Sequence, residues 1–503
     1  MMRTLQVVLI STLGAAPVAA GELAVVATNP AARSLGVPVG ASVAVTFDRA
    51  VDPLSVGAAS FWAFGRSGGL AEGAFSFSPD GRTVTLDPVD PFAAGDSVMV
   101  LLSHDLEAQD GSPLRAAGYS FQFRAAAAPA ALDFTEADRL TTRTTPGESS
   151  RAYGGFASDL DGDGWVDLTI VNEDTQDLRV FPNRADGSGL FDPFLVPTNP
   201  TGTVPSPSET GDFDRDGNMD VAVANTQGSS VSVLLGQGDG WFAPQQEVVI
   251  ASDPRGIAVV DADGDGDLDV VATLSGGTAD GVLLLNDGQG LFASSTAFGT
   301  GEGTPWALAA ADFTEDGILD LIVGDQANEA RVFRGNGNGT FSLESSQPIG
   351  GAAWMAAAGD LDGAGHEDLA SANDGSQHGS ILLGNGLGDL GVPETYPVDP
   401  FVVASDVADL DGDGDLDWML SSFGGDWTLF ENDGTGDFTF VREFAATQAA
   451  SCSVMFDMDR DGDLDLALID ELEDEVILEH NVGGIFADGF EGGDTTAWDQ
   501  VVP

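Results

Sequence analysis

Asp159, Asp161, Asp163 and Asp167 put four carboxylates into one nine-residue loop, DLDGDGWVD, with Gly162 and Gly164 giving the chain room to curl between them. Alternate residues of a tightly turning loop can aim their oxygens at one centre, and calcium takes about six to eight oxygens at about 2.3–2.6 Å. The backbone carbonyl of Trp165 supplies a fifth contact and water completes the shell. Magnesium suits the loop less, because it demands a nearer-octahedral shell and gives up water reluctantly. The same spacing yields Asp212, Asp214, Asp216 and Asp220 around Asn218, and Asp261, Asp263, Asp265 and Asp269 around Asp267. It recurs as Asp409, Asp411, Asp413 and Asp417 around Asp415, and as Asp457, Asp459, Asp461 and Asp465 around Asp463.

Two further loops depart from the pattern. DFTEDGILD offers Asp312, Asp316 and Asp320, with the Thr314 hydroxyl in place of one carboxylate and Ile318 at the carbonyl position. DLDGAGHED offers Asp360, Asp362 and Asp368, with Ala364 at the third ligand position and His366 where only a backbone carbonyl is needed. The sequence therefore predicts five to seven calcium ions, with the Asp360 site the weakest. No second histidine or cysteine stands at zinc-ligand spacing from His366, so it is expected to face solvent.

The loops begin at Asp159, Asp212, Asp261, Asp312, Asp360, Asp409 and Asp457, at intervals of 53, 49, 51, 48, 49 and 48 residues. Composition bias favours turns but does not fix a phase. Each loop leads into an apolar run such as LDVVA from Leu268, and then a second such as GVLLL from Gly281. A glycine-rich turn follows and closes on an aromatic, Phe242, Phe292, Phe341 or Phe438. Three or four short strands in about fifty residues is the size of one propeller blade, whereas a β-helix coil is shorter. The aromatics are expected to pack between adjacent blades. Trp165, Trp241, Trp306, Trp354 and Trp427 scatter in phase, which favours packing over a sugar-binding surface for most of them.

Residues from roughly 150 to 486 resemble the FG-GAP and VCBS repeat family, the calcium-loop unit also seen in the head of integrin alpha chains. The resemblance implies a seven-bladed β-propeller, placed at 129–486, with calcium in the blade loops chiefly for rigidity. Family members include adhesion and recognition modules as well as propellers that accompany an enzyme, so no partner follows. After Asp457 the chain supplies LDLALI and VILEH but no full outer strand, and the segment Ala131 to Arg143 is expected to return beside the last blade.

Upstream, residues 21–128 carry β-like runs such as SVAVTF from Ser42, TVTLD from Thr83 and SVMVLL from Ser97, with turn signals such as PDG at Pro79. About seven strands in this length suit a sandwich. PVGASVAVTFDRAVDPLSV from Pro38, SPDGRTVTLDP from Ser78 and DGSPL from Asp110 resemble bacterial immunoglobulin-like domains, which implies a spacer or adhesion-related module. AAAAPAA from Ala125 to Ala131 reads as the linker. Before the sandwich, Arg3, the apolar run Leu5 to Leu13 and the small residues Val18 and Ala20 predict a secretory signal peptide over 1–20. The tail, 487–503, contains GFEGGDTTAW, similar to a short C-terminal motif of exported bacterial proteins.

The fold class expected is therefore all-β, an Ig-like sandwich followed by a seven-bladed propeller. A formal charge of −63, with arginine and no lysine among the basic residues, makes nucleic acid and anionic membrane poor partners, and none is expected. No apolar stretch after the signal reaches the length of a membrane span. Nucleophile elbow, zinc-protease, P-loop and dinucleotide motifs are absent from the sequence. The function expected is that of a monomeric calcium-binding recognition or adhesion module, secreted or on the surface of a bacterium, with an extracellular glycan or protein as partner and no catalysis. The alternatives are a structural component of a surface assembly and a secreted carbohydrate-active enzyme.

Overall fold

The computed structural model describes residues 21–299 and 303–482. The predicted signal peptide and C-terminal motif lie outside them. The chain is all-β, and its sheets fall into two groups.

The first group is the Ig-like sandwich region, two four-stranded sheets formed by residues 25–124. One strand, Phe61–Gly65, was not expected from the sequence. Its five residues FWAFG are all buried, so it shows none of the polar alternation by which a half-exposed strand is recognised. Val43, Val45, Phe47, Val84, Val100, Phe121 and Phe123 form the core between the sheets.

The second group is seven four-stranded antiparallel sheets. Their first strands are Ala152–Ser158, Pro205–Gly211, Pro254–Val260, Pro305–Ala311, Ala352–Gly359, Val402–Ala408 and Ala450–Phe456. Each first strand ends where an acidic loop begins, and the loop turns the chain into a second strand that is buried throughout, as in Asp220–Asn225, or in all but its last residue, as in Asp368–Asp374. In the first six sheets the four strands pair in sequence order. The seventh takes its fourth strand from far upstream: Phe134–Thr141 pairs antiparallel with Glu475–Asn481, Leu140 opposite Val476 and Phe134 opposite Asn481. The expected return of 131–143 beside the last unit is thus observed. First strands pack against one another from sheet to sheet, and Ala152–Ser158 also packs against Ala450–Phe456.

The aromatics that end the glycine turns pack between neighbouring sheets as expected. Phe292 meets Phe213 with ring centroids 5.5 Å apart, Phe341 meets Phe298 at 5.3 Å, and Phe438 meets Tyr396 at 5.8 Å.

The sandwich sits on the acidic loops. Trp62, Phe64, Met99 and Leu101 share one apolar cluster with Phe213, Met219 and Leu268 of the repeats. The interface is polar as well. Trp62 Nε1 donates to Gly266 O at 3.0 Å, Arg115 donates to Asp316 O at 2.7 Å and Gly317 O at 2.8 Å, and Arg33 donates to Gly365 O at 2.9 Å. The segment read as a linker is docked too, since Ala128 N donates to Gly462 O at 2.7 Å and Ala130 N to Asp411 O at 2.8 Å. With Asp159 N on Ser67 O and Arg215 on Ala59 O, both at 3.0 Å, all seven loops touch the N-terminal region or the segment leaving it. Arg66 and Arg124 of the sandwich line one end of a cavity of about 300 Å³ enclosed by the first strands, where Arg66 pairs with Glu209 at 3.0 Å.

Candidate metal centre

Each loop is built by hydrogen bonds from its own backbone to its own aspartates. The first aspartate accepts from the N–H of the sixth residue in all seven copies, as in Gly164 to Asp159 at 2.9 Å and Gly414 to Asp409 at 3.1 Å. That sixth residue is glycine every time, with φ from +75° to +99°, a conformation in which a side chain is strained. The fifth-position aspartates Asp163, Asp216, Asp265, Asp316, Asp413 and Asp461 accept from the seventh-position N–H of Trp165, Asn218, Asp267, Ile318, Asp415 and Asp463 at 2.8–3.1 Å.

This folding gathers carboxylates. Oxygens of Asp159, Asp161 and Asp163 lie within 4.8 Å of one another, as do those of Asp212, Asp214 and Asp216, of Asp261, Asp263 and Asp265, and of Asp409, Asp411 and Asp413. The fifth loop, which lacks a carboxylate at Ala364, assembles a different triad, from Asp360, Asp362 and the ninth-position Asp368. Several carboxylate oxygens of the loops are buried without any hydrogen-bond partner: Oδ1 of Asp263, Asp360 and Asp409 within the gathered sets, and of Asp457 and Asp463 in the last loop. A buried carboxylate oxygen with no donor is costly, and a divalent cation is the group that satisfies several such oxygens at once. Burial, reinforced by neighbouring carboxylates, also pushes Asp212, Asp409 and Asp457 up to about 6.

The ninth-position aspartates have a second task that the spacing did not reveal. In every loop one oxygen accepts from the N–H of the second loop residue, or of the third in the Asp312 loop, and the other from a residue at the end of the third strand. Asp220 accepts from Phe213 and Gly236, both at 2.7 Å, and Asp269 from Ala262 at 3.0 Å and Asn286 at 2.9 Å. Asp167, Asp320, Asp368, Asp417 and Asp465 repeat the arrangement. These carboxylates latch the loop to the turn that follows it. Burial pushes Asp220, Asp320, Asp417 and Asp465 up to about 8 and Asp167 and Asp368 to about 7.

Where the latching residue is asparagine, its side chain carries the link to the neighbouring sheet. Asn286 Nδ2 donates to Phe213 O at 2.7 Å, Asn432 to Leu361 O at 2.8 Å, and Asn481 to Leu410 O at 2.8 Å. Asn183 does the same between the first and last sheets, donating to Met458 O at 2.9 Å. An asparagine 15 to 17 residues after the ninth aspartate was the signal in the sequence.

The loops also hold one another at the position that breaks the glycine pattern. The fourth residue has φ between +54° and +79° in every copy, and three copies place a side chain there: Arg215, Glu315 and Arg460. Each reaches the seventh residue of another loop, the next one along for Arg215 and Glu315 and the first for Arg460. Arg215 pairs with Asp267 at 2.5 Å, Glu315 with His366 Nδ1 at 2.5 Å, and Arg460 lies over the Trp165 ring, 5.1 Å from its centroid. His366 is thus engaged in an interloop contact while its side chain stays 36% exposed, so the expected solvent-facing position also carries a partner.

The fourth loop departs furthest from a cation site. Arg33 of the sandwich stands 3.6 Å from Asp312, Arg334 holds Asp316 at 2.6 Å, and the buried Thr314 Oγ1 has no partner. Two guanidinium groups already offset the carboxylate charge there. Arginines thus stand against carboxylates of the fourth loop, whereas Asp360, Asp362 and Asp368 gather in the fifth.

Among the tryptophans, Trp427 is fully buried and donates to Cys452 O at 3.0 Å. Trp306 and Trp354 instead meet edge to face, with centroids 4.2 Å apart, at the ends of the first strands remote from the loops.

A sandwich set on seven sheets, with carboxylate-gathering loops all on one side, defines a class: a repeat protein whose acidic loops are able to coordinate a divalent ion. Comparison with known families makes this specific. The FG-GAP-like repeat matches residues 159–223, 212–272, 261–323, 312–370 and 409–468, each segment opening on the first aspartate of a loop. A bacterial Ig-like domain matches residues 20–125. The repeat matches cover more than half of the chain, which belongs to the FG-GAP-like repeat family. Both families are non-catalytic structural or adhesion domains. No curated protein matches the chain. Among solved structures it is similar to BBS1N in complex with ARL6DN, at 13% identity over 69% of this chain and 98% of that one, with a TM-score of 0.49. It is also similar to an Agrocybe aegerita lectin whose structure concerns recognition of non-reducing terminal N-acetylglucosamine, at 18% identity over 79% and 93%, TM-score 0.42. A Lactobacillus plantarum protein is similar at 13% identity over 78% and 98%, TM-score 0.45. Likenesses this weak carry no function across.

Proposed function

We propose that the protein is a calcium-rigidified recognition or adhesion module, exported from a bacterium by the segment 1–20 and acting in the medium or at the cell surface. In this reading residues 129–486 close into a seven-bladed propeller, with 21–128 as the Ig-like domain and 487–503 as a tail. Closure is supported by the pairing of Phe134–Thr141 with the last sheet, by Asn183 on Met458 and by Arg460 on Trp165.

The observation that carries the calcium assignment is the recurrence of buried, unpartnered carboxylate oxygens within the loops. Calcium is favoured over magnesium because the donors are many and flexible in number. Held there, it would discharge the gathered carboxylates and stiffen the turn between the first and second strands. The Asp312 loop would bind least. Rigid loops under the sandwich and a surface without membrane affinity suit a module that presents a fixed face to an extracellular glycan or protein. Among the described residues no helix is long and apolar enough to cross a membrane.

The test is capture by the immobilised full chain of ligands from a panel of glycans and matrix proteins, in calcium and in chelator. Saturable binding lost in chelator supports the reading. Absence of binding in calcium would favour a structural component. Turnover of a saccharide, abolished by one carboxylate substitution outside the loops, would favour an enzyme.

A further inference from the structure

The sandwich contacts the loop side of the repeats, and the opposite side is free of it. At the opposite ends of the first strands lies a cavity of about 220 Å³, lined by Trp306, Trp354, Tyr153, Arg151, Arg255 and Glu173 together with smaller residues of the first five sheets. No residue of the sandwich lines it.

Its polar groups divide into satisfied and unsatisfied ones. Trp354 Nε1 donates to Tyr153 Oη at 2.8 Å. Arg151 is neutralised by Glu471 at 2.6 Å and Glu173 at 3.3 Å. Arg255, by contrast, makes no ion pair among the described residues; its guanidinium lies over Trp306, 4.6 Å from the ring centroid. Arg255 Nε and Trp306 Nε1 are both buried without a hydrogen-bond partner. The two orphaned atoms are N–H donors on stacked side chains, so the missing partner carries acceptors.

We infer that this cavity binds a carboxylate-bearing sugar, a uronic acid unit of an acidic glycan, with the carboxylate on Arg255, a ring oxygen or hydroxyl on Trp306 Nε1 and the sugar ring against the indoles. Arginine is the side chain best shaped for a carboxylate, and half-buried indoles offer a pyranose an apolar face with a polar edge. The inference rests on the reading of the protein as a recognition module and names the chemistry of its ligand. The high negative charge of the chain opposes an anion at long range, so the local pair of donors must supply the selectivity.

The test uses the full chain in calcium, titrated with oligogalacturonate and with the same oligosaccharide after reduction of its carboxyl groups, followed by calorimetry and tryptophan fluorescence. The acidic oligosaccharide is expected to bind saturably and the reduced one at least tenfold more weakly. Arg255→Gln is expected to weaken the acidic ligand at least tenfold with an unchanged melting temperature, and Leu54→Ala, at an exposed position of the sandwich, to leave it unaffected. Equal binding of the reduced sugar, undiminished binding by Arg255→Gln, or no binding of either sugar would overturn the inference. If the wider panel yields a ligand that Arg255→Gln still captures, the recognition reading stands and only this site falls.

Discussion

Asn183 Nδ2 lies 2.9 Å from the carbonyl of Met458, joining the first sheet to the last acidic loop across 275 residues of sequence. The same side chain also donates to Val166 O at 3.2 Å, the pattern that Asn432 follows between two interior sheets. Replacing Asn183 with leucine strands two carbonyls and should cost about 1–3 kcal/mol. Asn432→Leu should cost a similar amount. Thermal unfolding of both variants checks this: a large loss for Asn432→Leu with none for Asn183→Leu would mean that the first and last sheets do not support each other.

The fourth strand of the last sheet makes a second, stronger demand on the same junction. Phe134 packs edge to face on Phe444 with centroids 5.3 Å apart, and Leu140 is buried among residues of the first and last sheets. Deleting 131–143 should lower the melting temperature sharply even with calcium present, and Leu140→Ala should cost about 2–5 kcal/mol. An unchanged melt of the deletion would sink the role given to this strand.

The two kinds of loop aspartate should separate under chelation. Asp220→Ala leaves the N–H groups of Phe213 and Gly236 without their acceptor, so it should destabilise the protein by roughly 2–5 kcal/mol whether or not calcium is present. Asp214→Asn removes one gathered carboxylate, and its effect should appear in calcium and vanish in chelator. Unfolding of both variants in the two buffers decides; equal behaviour would contradict the division into latch and ligand.

Asp96 of the sandwich gives a pH dependence away from the loops. Burial raises its carboxyl from 3.8 to about 6, against the opposing N–H bonds of Gly68 and Ser67. Because the folded state holds the proton more tightly, this group's contribution favours folding below about 4 and is lost as pH rises through about 6, an effect on the order of 3 kcal/mol. Asp96→Asn cannot titrate, so its melting temperature should fall less between pH 4 and pH 6 than that of the parent. Parallel pH profiles would show that Asp96 does not titrate in this range.

Much of the fold was legible because composition bias alone cannot keep a loop pattern in phase over seven copies. Asp159, Asp212 and Asp261 announced their loops, and the shortage of strand after Leu464 pointed to the return of Phe134–Thr141. The rest depended on contacts between distant segments. Nothing local to Asp220 signals Gly236, and nothing local to Trp62 signals Gly266. Arg215, Glu315 and Arg460 read as lapses in a glycine pattern, yet they are the residues that tie one loop to another. Arg33, set far upstream in another domain, stands 3.6 Å from Asp312, a contact that nothing near the loop announces. Trp306 and Trp354 pack on each other and also line a cavity, because the phase of a residue in its repeat does not say which first-strand ends converge.

The central claim is that cations held by the acidic loops belong to the folded state, and a ligand that binds only the folded state must raise its stability. Calorimetric calcium titration of the full chain, paired with thermal unfolding in calcium and in chelator, tests it most directly. The account predicts five to seven bound ions, the last of them weak if the Asp312 loop fills at all, and a large rise in melting temperature. No binding heat and identical melts in the two buffers would contradict it, leaving the loops as acidic turns held by their own backbone.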